Sequence, residues 1–208
     1  MLPFAVGIDL GGTSIKAASV DTKGTIIQQI ALDSFASNGP AAVVQQLLAA
    51  ISDILGGQKG ASCVGIGIGA PGVVDEHGVV KHPPNFADWT DVALADAIRK
   101  VHSLPVKVEN DANTAAIAES KFGAGVEHKD FLFVIWGTGV GGGIIIDRKI
   151  FRGSQGGAGE IGHMTIDYNG PQCNCGSRGC IESYIGQRYL SRHTREILER
   201  QGTAGPPS

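Results

Sequence analysis

The sequence predicts an α/β fold arranged as two related lobes around a ligand cleft. Three observations carry this. A strand, a glycine turn and a second strand open the chain between Phe4 and Val20, and the same unit recurs between Phe131 and Asp147. Segments with apolar residues at helical spacing alternate with short β-branched runs. Glycine makes up 31 of 208 residues, about twice the usual ~7%. The glycines gather at strand ends, where a backbone turns sharply and a ligand can approach its amides closely.

In order, Phe4 to Asp9 and Ile15 to Val20 read as strands joined by Gly11-Gly12-Thr13-Ser14, and Thr25 to Ala31 as a third after the turn Asp21 to Gly24. The chain thus opens as an antiparallel meander. Val43, Val44, Leu47, Leu48, Ile51, Ile54 and Leu55 repeat at helical spacing, which predicts a helix from Pro40 to Leu55. Cys63 to Ile68 is a strand ending in Gly69-Ala-Pro71-Gly72. Thr90 to Val101 reads as a helix with Thr90 as N-cap. Val106 to Glu109 is a short strand that runs into a helix from Ala112 to Phe122. The second unit has strands at Phe131 to Trp136, Ile144 to Asp147 and Lys149 to Phe151, with Gly137 to Gly143 as its turn. One helix, Ser183 to Arg200, and a loop-like tail to Ser208 follow. These boundaries divide the chain into an N-terminal lobe, 1–112, and a partial C-terminal lobe, 113–208, short of a layer over its strands.

Lys and Arg number 17 against 20 Asp and Glu, a net charge of −3, and no basic run is present. A nucleic-acid surface built on bulk charge is not expected. No apolar run approaches the ~20 residues of a membrane span, and no basic-then-apolar leader opens the chain. The expectation is a cytoplasmic protein with no membrane partner. The histidines at 77, 82, 102, 128 and 193 show no partner pattern and read as surface or loop residues. Phe86, Trp89 and Trp136 read as core or rim aromatics, and Cys63 as a small buried residue.

The densest chemical signal is the segment from His163 to Cys180. One imidazole and three thiols, Cys173, Cys175 and Cys180, complete a tetrahedral Cys3His zinc set within eighteen residues. In a reducing compartment such a cluster reads as metal-binding rather than disulfide-bonded, and four protein ligands make the zinc structural. Glu160 and Glu182 bracket it. Asp9-Leu-Gly11-Gly12-Thr13-Ser-Ile-Lys16 reads either as an ordinary hairpin or as a turn whose amides cradle phosphate, with Asp9 near Mg²⁺. Gly137-Thr138-Gly139-Val-Gly141-Gly142-Gly143 contains G-x-G-x-x-G, but the β-branched Ile144 to Ile146 follows where a dinucleotide fold needs a helix, so a second phosphate turn is the better reading. In Glu109-Asn110-Asp111-Ala-Asn113, Asp111 reads either as a general base or as a helix N-cap.

Taken together these motifs resemble the ROK family of sugar kinases and the repressors derived from them. The resemblance rests on Asp9-x-Gly-Gly-Thr13, Gly69-Ala-Pro-Gly72, Glu109-Asn-Asp111-Ala-Asn113, Gly137-Thr-Gly-Val-Gly-Gly143, Glu160-x-Gly-His163 and Cys173-x-Cys-Gly-x-x-Gly-Cys180-x-Glu182, in family order across residues 9 to 182. It implies an actin-like (ribonuclease-H-like) two-lobed ATPase fold and an ATP-dependent hexose kinase, glucokinase first. It also implies that Asp111 is the base, that Asn110, Glu160, His163 and Glu182 are sugar partners, and that Asn85 and Gly72 line their pocket. Asp9, Gly11, Gly12, Thr13 and Lys16, with Gly137, Thr138, Gly139 and Gly141, become the Mg·ATP phosphate sites. The family's chains continue further and commonly form homodimers. Its kinases for N-acetylmannosamine, N-acetylglucosamine, fructose and allose share the motifs. A catalytically silent sugar-binding regulator or an inactive kinase fragment is the alternative. Only Met1 to Pro3 precede the first strand, so a DNA-binding segment is not expected.

Overall fold

The computed structural model describes residues 3–58 and 60–201; the tail expected as a loop from Gln201 to Ser208 lies outside them beyond its first residue. Strands β1 (Pro3–Leu10), β2 (Ser14–Asp21) and β3 (Ile26–Asp33) form the expected antiparallel meander. β4 (Ser62–Ala70) and β8 (Val106–Asn110) add in parallel, in the order β3-β2-β1-β4-β8. Helix α1 (Pro40–Gly57) crosses one face of this sheet. Its stripe of Val43, Leu47, Ala50, Ile51 and Ile54 is buried together with Phe4, Val6, Ile8, Leu10 and Ile15 of the sheet. By length and a mean hydropathy of 1.2, α1 also meets the measure of a membrane span, which the sequence reading did not anticipate. Its packing shows a core helix instead.

In the chain, β4 and β8 are separated by a small antiparallel sheet of β5 (Val73–Val74), β6 (Val79–Lys81) and β7 (Asp91–Ala93). The sequence reading missed it. The expected helix from Thr90 begins only at Leu94, as α2 (Leu94–Arg99), with Ala93 in place of Thr90 at its cap. Pairing with β6 takes Asp91 to Ala93 out of the helix, and the amide of His82 donating to Thr90 O at 2.8 Å extends that pairing. Trp89 and Phe86 anchor the connecting loop edge to face at 5.2 Å, and Trp89 Nε1 donates to Val80 O. Both are core aromatics, as expected. Among the histidines, His102 lies in a loop, half-buried, with its Nε2 buried and without a partner among the described residues.

Helix α3 (Asp111–Phe122) follows β8 without a break and packs on a second meander of β9 (Phe131–Trp136), β10 (Val140–Ile146) and β11 (Lys149–Phe151). β10 starts at Val140, so the glycine turn is shorter than expected. Gly141 to Gly143 are strand residues, and the lack of a side chain at Gly143 lets α3 lie against the strand. A Cβ on Gly143 would sit 2.6 Å from that of Ala116. β9 leaves Leu132, Val134 and Trp136 exposed. The expected final helix is two: α4 (Ile181–Ile185) and α5 (Gln187–Arg200), broken at Gly186. A side chain at Gly186 would crowd the carbonyls of Glu182 and Thr138, at 2.9 and 3.3 Å.

Leu47 is fully buried at the centre of the α1 stripe. Leu47→Ala is expected to lower the unfolding free energy by about 2–5 kcal/mol, read from the urea midpoint at unchanged slope.

Candidate functional site

The elements converge on a cleft of about 990 Å³ between the first sheet and the second meander. α3 builds its floor. Asn110 caps the helix, its Oδ1 accepting from Asn113 N at 3.0 Å, while its Nδ2 donates to Gly72 O at 3.0 Å. The cap role read as an option for Asp111 therefore belongs to Asn110. Asp111 is the first helical residue, opens onto the cleft and accepts from the Ala112 amide at 2.8 Å. Desolvation raises its pKa above the 3.8 of an ordinary aspartate, the Ala112 amide opposes this, and the charge of Asp9 adds to the rise.

The second wall comes from Glu160, His163 and Glu182, all lining the cleft. His163 ends a 3-10 turn, Ile161–His163, that presses Gly162 against Val140 O. Glu182 sits in the first turn of α4, and its Oε2 accepts from Val140 N at 2.9 Å. Gly72 and Asn85 close the near end, Asn85 in a left-handed conformation at φ 67° against Gly12.

All seven residues expected around a sugar thus face one space. Of the expected phosphate residues, Asp9, Gly11, Gly12, Gly137, Thr138, Gly139 and Gly141 line it. Gly11 N donates to Ser14 O and Gly137 N to Gly139 O. The amides of Gly12 and Thr13, and of Thr138 and Gly139, donate to nothing among the described residues. Each turn therefore keeps two amide donors for a ligand. Thr13 and Lys16 do not line the cleft. Lys16 faces a second hollow on the sheet, with its Nζ 3.9 Å from Asp9 Oδ2. Ile15 and Ala17 point into the core, so strand alternation puts Lys16 on the opposite face, beside its cross-strand partner Asp9.

His163, Cys173, Cys175 and Cys180 present donor atoms all within 4.8 Å of one another. His163 Nδ1 is 3.7 Å from Cys173 Sγ, and Cys175 Sγ is 3.6 Å from Cys180 Sγ. A tetrahedral zinc with ligand bonds of about 2.0–2.3 Å has edges of about 3.5–3.8 Å, which these two separations match. Gly176 and Gly179, at φ 92° and 62°, supply the left-handed turns of the knuckle. Desolvation, then the neighbouring thiols, push Cys180 up to about 11. A divalent cation among them reverses that preference. Cys180 is also the residue before α4, so the cluster sets where Glu182 enters the cleft.

Sequence reasoning missed Glu109 and Arg152. Glu109 is 15% exposed at its side chain, and its Oε1 accepts from Asn110 N and Asn113 Nδ2. Its Oε2 accepts from Arg152 Nε and lies 2.7 Å from the second guanidinium nitrogen. Both nitrogens converge on this one oxygen, and the charged pair ties the end of β8 to the loop after β11. Forty-three positions separate the partners, so no local pattern announces them.

The architecture is the α/β fold of the ROK sugar kinases, which is actin-like. The chain belongs to the ROK family, whose profile matches residues 5–204. It is 36% identical over 192 residues to the glucokinase of Thermotoga maritima, covering 92% of this chain and 60% of that protein. It is 38% identical over 200 residues to the xylose repressor of Bacillus subtilis, covering 93% of this chain and 51% of the repressor. Among solved structures, a ROK family glucokinase from Streptomyces griseus in complex with glucose and AMPPNP superposes with a TM-score of 0.80 at 38% identity, over 96% of this chain and 62% of that one. The chain thus spans between half and two thirds of these relatives' lengths.

With its folded pKa above its unfolded one, Asp111 holds a proton to higher pH in the folded state, so its contribution to stability falls as pH rises through that window. Asp111→Asn is expected to raise the melting temperature at pH 7. Thermal melts should show the gain shrinking towards acid and gone below pH 3.8, where both states are protonated.

Proposed function

We propose that the protein is a hexose kinase that transfers the γ-phosphate of Mg·ATP to the 6-hydroxyl of its sugar, with glucose as the first candidate. The observation that carries this is Asp111, an acid of raised pKa at the start of a helix, set in one cleft with two glycine turns and with Glu160, His163 and Glu182. A carboxylate of that kind accepts the proton that the attacking hydroxyl must lose. Phosphoryl transfer otherwise needs positioning and charge stabilisation, and the free amides of the two turns serve both.

In this reading Glu160, His163 and Glu182 hydrogen-bond the sugar hydroxyls, and Gly72 and Asn85 close the pocket. Asn110 retains one N–H for the sugar, since the rest of its amide caps α3 and holds Gly72 O. His163 turns Nδ1 to the thiols, which leaves Nε2 for the ligand. Bound zinc would be held by His163, Cys173, Cys175 and Cys180, and its role would be structural. Mg²⁺ would be held beside Asp9, whose carboxylate faces the cleft near the charge of Asp111; when bound it neutralises phosphate charge. We assign residues 1–112 and 113–208 to two lobes that close to exclude water. ATP use and reduced thiols suit the cytoplasm, and homodimerisation remains the family expectation.

A second reading is a sugar-responsive regulator, favoured by the likeness to the xylose repressor. Asp111 argues for the kinase, because binding a sugar does not require a base.

Asp111→Asn is expected to abolish Mg·ATP-dependent phosphorylation of glucose, by about 10³-fold or more, while calorimetry shows nearly unchanged glucose affinity. Loss of both together sinks the base assignment. Zinc content of about one per chain is expected by atomic absorption. Cys180→Ser should lose the metal and weaken glucose binding through Glu182; zinc-free protein with full glucose affinity would remove the knuckle from the site.

A further inference from the structure

We propose that Arg188 is the residue that grips the polyphosphate tail of the nucleotide. The inference rests on the kinase reading and adds a binding residue to it. Four carboxylates line the cleft, those of Asp9, Asp111, Glu160 and Glu182, and Arg188 is the one permanently charged cation among the lining residues. A polyphosphate entering such a space meets net repulsion unless a cation lies at its binding point. Lys16, in β2 after the first turn, faces another hollow, with its Nζ 3.9 Å from Asp9 Oδ2.

Arg188 stands where a phosphate would. It is the second residue of α5, and its amide points at Thr138 O at 3.5 Å. The amide of the preceding Gln187 donates to Gly137 O at 3.0 Å. These contacts fix the base of the arginine side chain at the second glycine turn, beside the free amides of Thr138 and Gly139. Its guanidinium makes no hydrogen bond or ion pair among the described residues, although carboxylates line the same cleft. Arg192, one turn further along α5, is by contrast engaged, 3.8 Å from Glu196 and over the Tyr189 ring. A planar fork of donors at a turn with two unused amides matches the oxygens of a phosphate chain.

The test uses the 208-residue chain and titrates inorganic tripolyphosphate with Mg²⁺, and glucose separately, by calorimetry. Arg188→Ala is expected to weaken tripolyphosphate about tenfold or more, to flatten its salt dependence, and to leave glucose affinity and melting temperature unchanged. Arg188→Lys should restore only part of the loss, because charge returns without the fork. Arg195→Ala, exposed on the same helix, should change nothing. The proposal is overturned if the wild type fails to bind tripolyphosphate, if Arg188→Ala binds it as the wild type does, or if Arg195→Ala loses as much. Glucose phosphorylation unaffected by Arg188→Ala would sink this inference and leave the kinase reading standing. Tripolyphosphate held through Arg188 in a protein that binds no hexose would do the reverse.

Discussion

The close approach of α3 to the glycine backbone of β10 organises the rest of the molecule. A Cβ on Gly143 would come within 2.6 Å of that of Ala116, which leaves no room for a side chain, and Gly141 lies in contact range of Ala112. The contact joins the five-stranded sheet, from which α3 starts, to the second meander, on which it rests. It also sets the height of the helix N-terminus in the cleft. Asn110 then trims that end by capping it and holding Gly72, and Glu109 clamps the cap from behind through Arg152. Asp111 is placed by packing and capping together, so its position belongs to rigid elements rather than to a loop.

The opposite wall depends on a smaller device. The segment from Met164 to Cys180 has little apolar material to bury, and Ile166 and Tyr168 are largely exposed. What orders it is a set of backbone bonds, Cys173 N to Ser177 O and Gly179 N to Pro171 O among them, around the four clustered donors. Such a loop is costly in chain entropy, and a metal ion held by the four donors would offset that cost more directly than a thin core. Its output is local: Cys180 ends the cluster, α4 begins, and Glu182 reaches Val140.

The parts legible in the sequence were those whose evidence lies within a few residues. The meander, α1, α3 and the His163–Cys180 cluster each declare themselves by period or by ligand type. The misreadings follow from longer reach. Thr90 looks like a cap until β6 claims Asp91 to Ala93 as a neighbouring strand. The run from Gly137 to Gly143 looks like one turn, because sequence does not separate a glycine that bends from one that admits a helix. Lys16 belongs to its motif by position, but from β2 beside Asp9 it faces the second hollow. Arg152 and Arg188 had no signal at all, since each gains its role from a partner surface brought up by folding.

The charge pattern of the cleft bears on why the scaffold holds an acid where it does. A pocket that only binds sugar is complete with donors and acceptors of the kind that Glu160, His163 and Glu182 supply. Asp111 adds a fourth negative group, desolvated and within reach of the charge of Asp9. Its helix-terminal position relieves part of that cost through the Ala112 amide, but the raised pKa shows that relief is incomplete. An acid kept in an unfavourable place is compensated when its electrostatics serve a step. On the kinase reading that step is accepting a hydroxyl proton as the phosphoryl group arrives. The same repulsion then requires a counter-charge on the nucleotide side, which is where Arg188 and the free turn amides stand. On that reading the four carboxylates and the one arginine lining the cleft are two halves of one electrostatic arrangement.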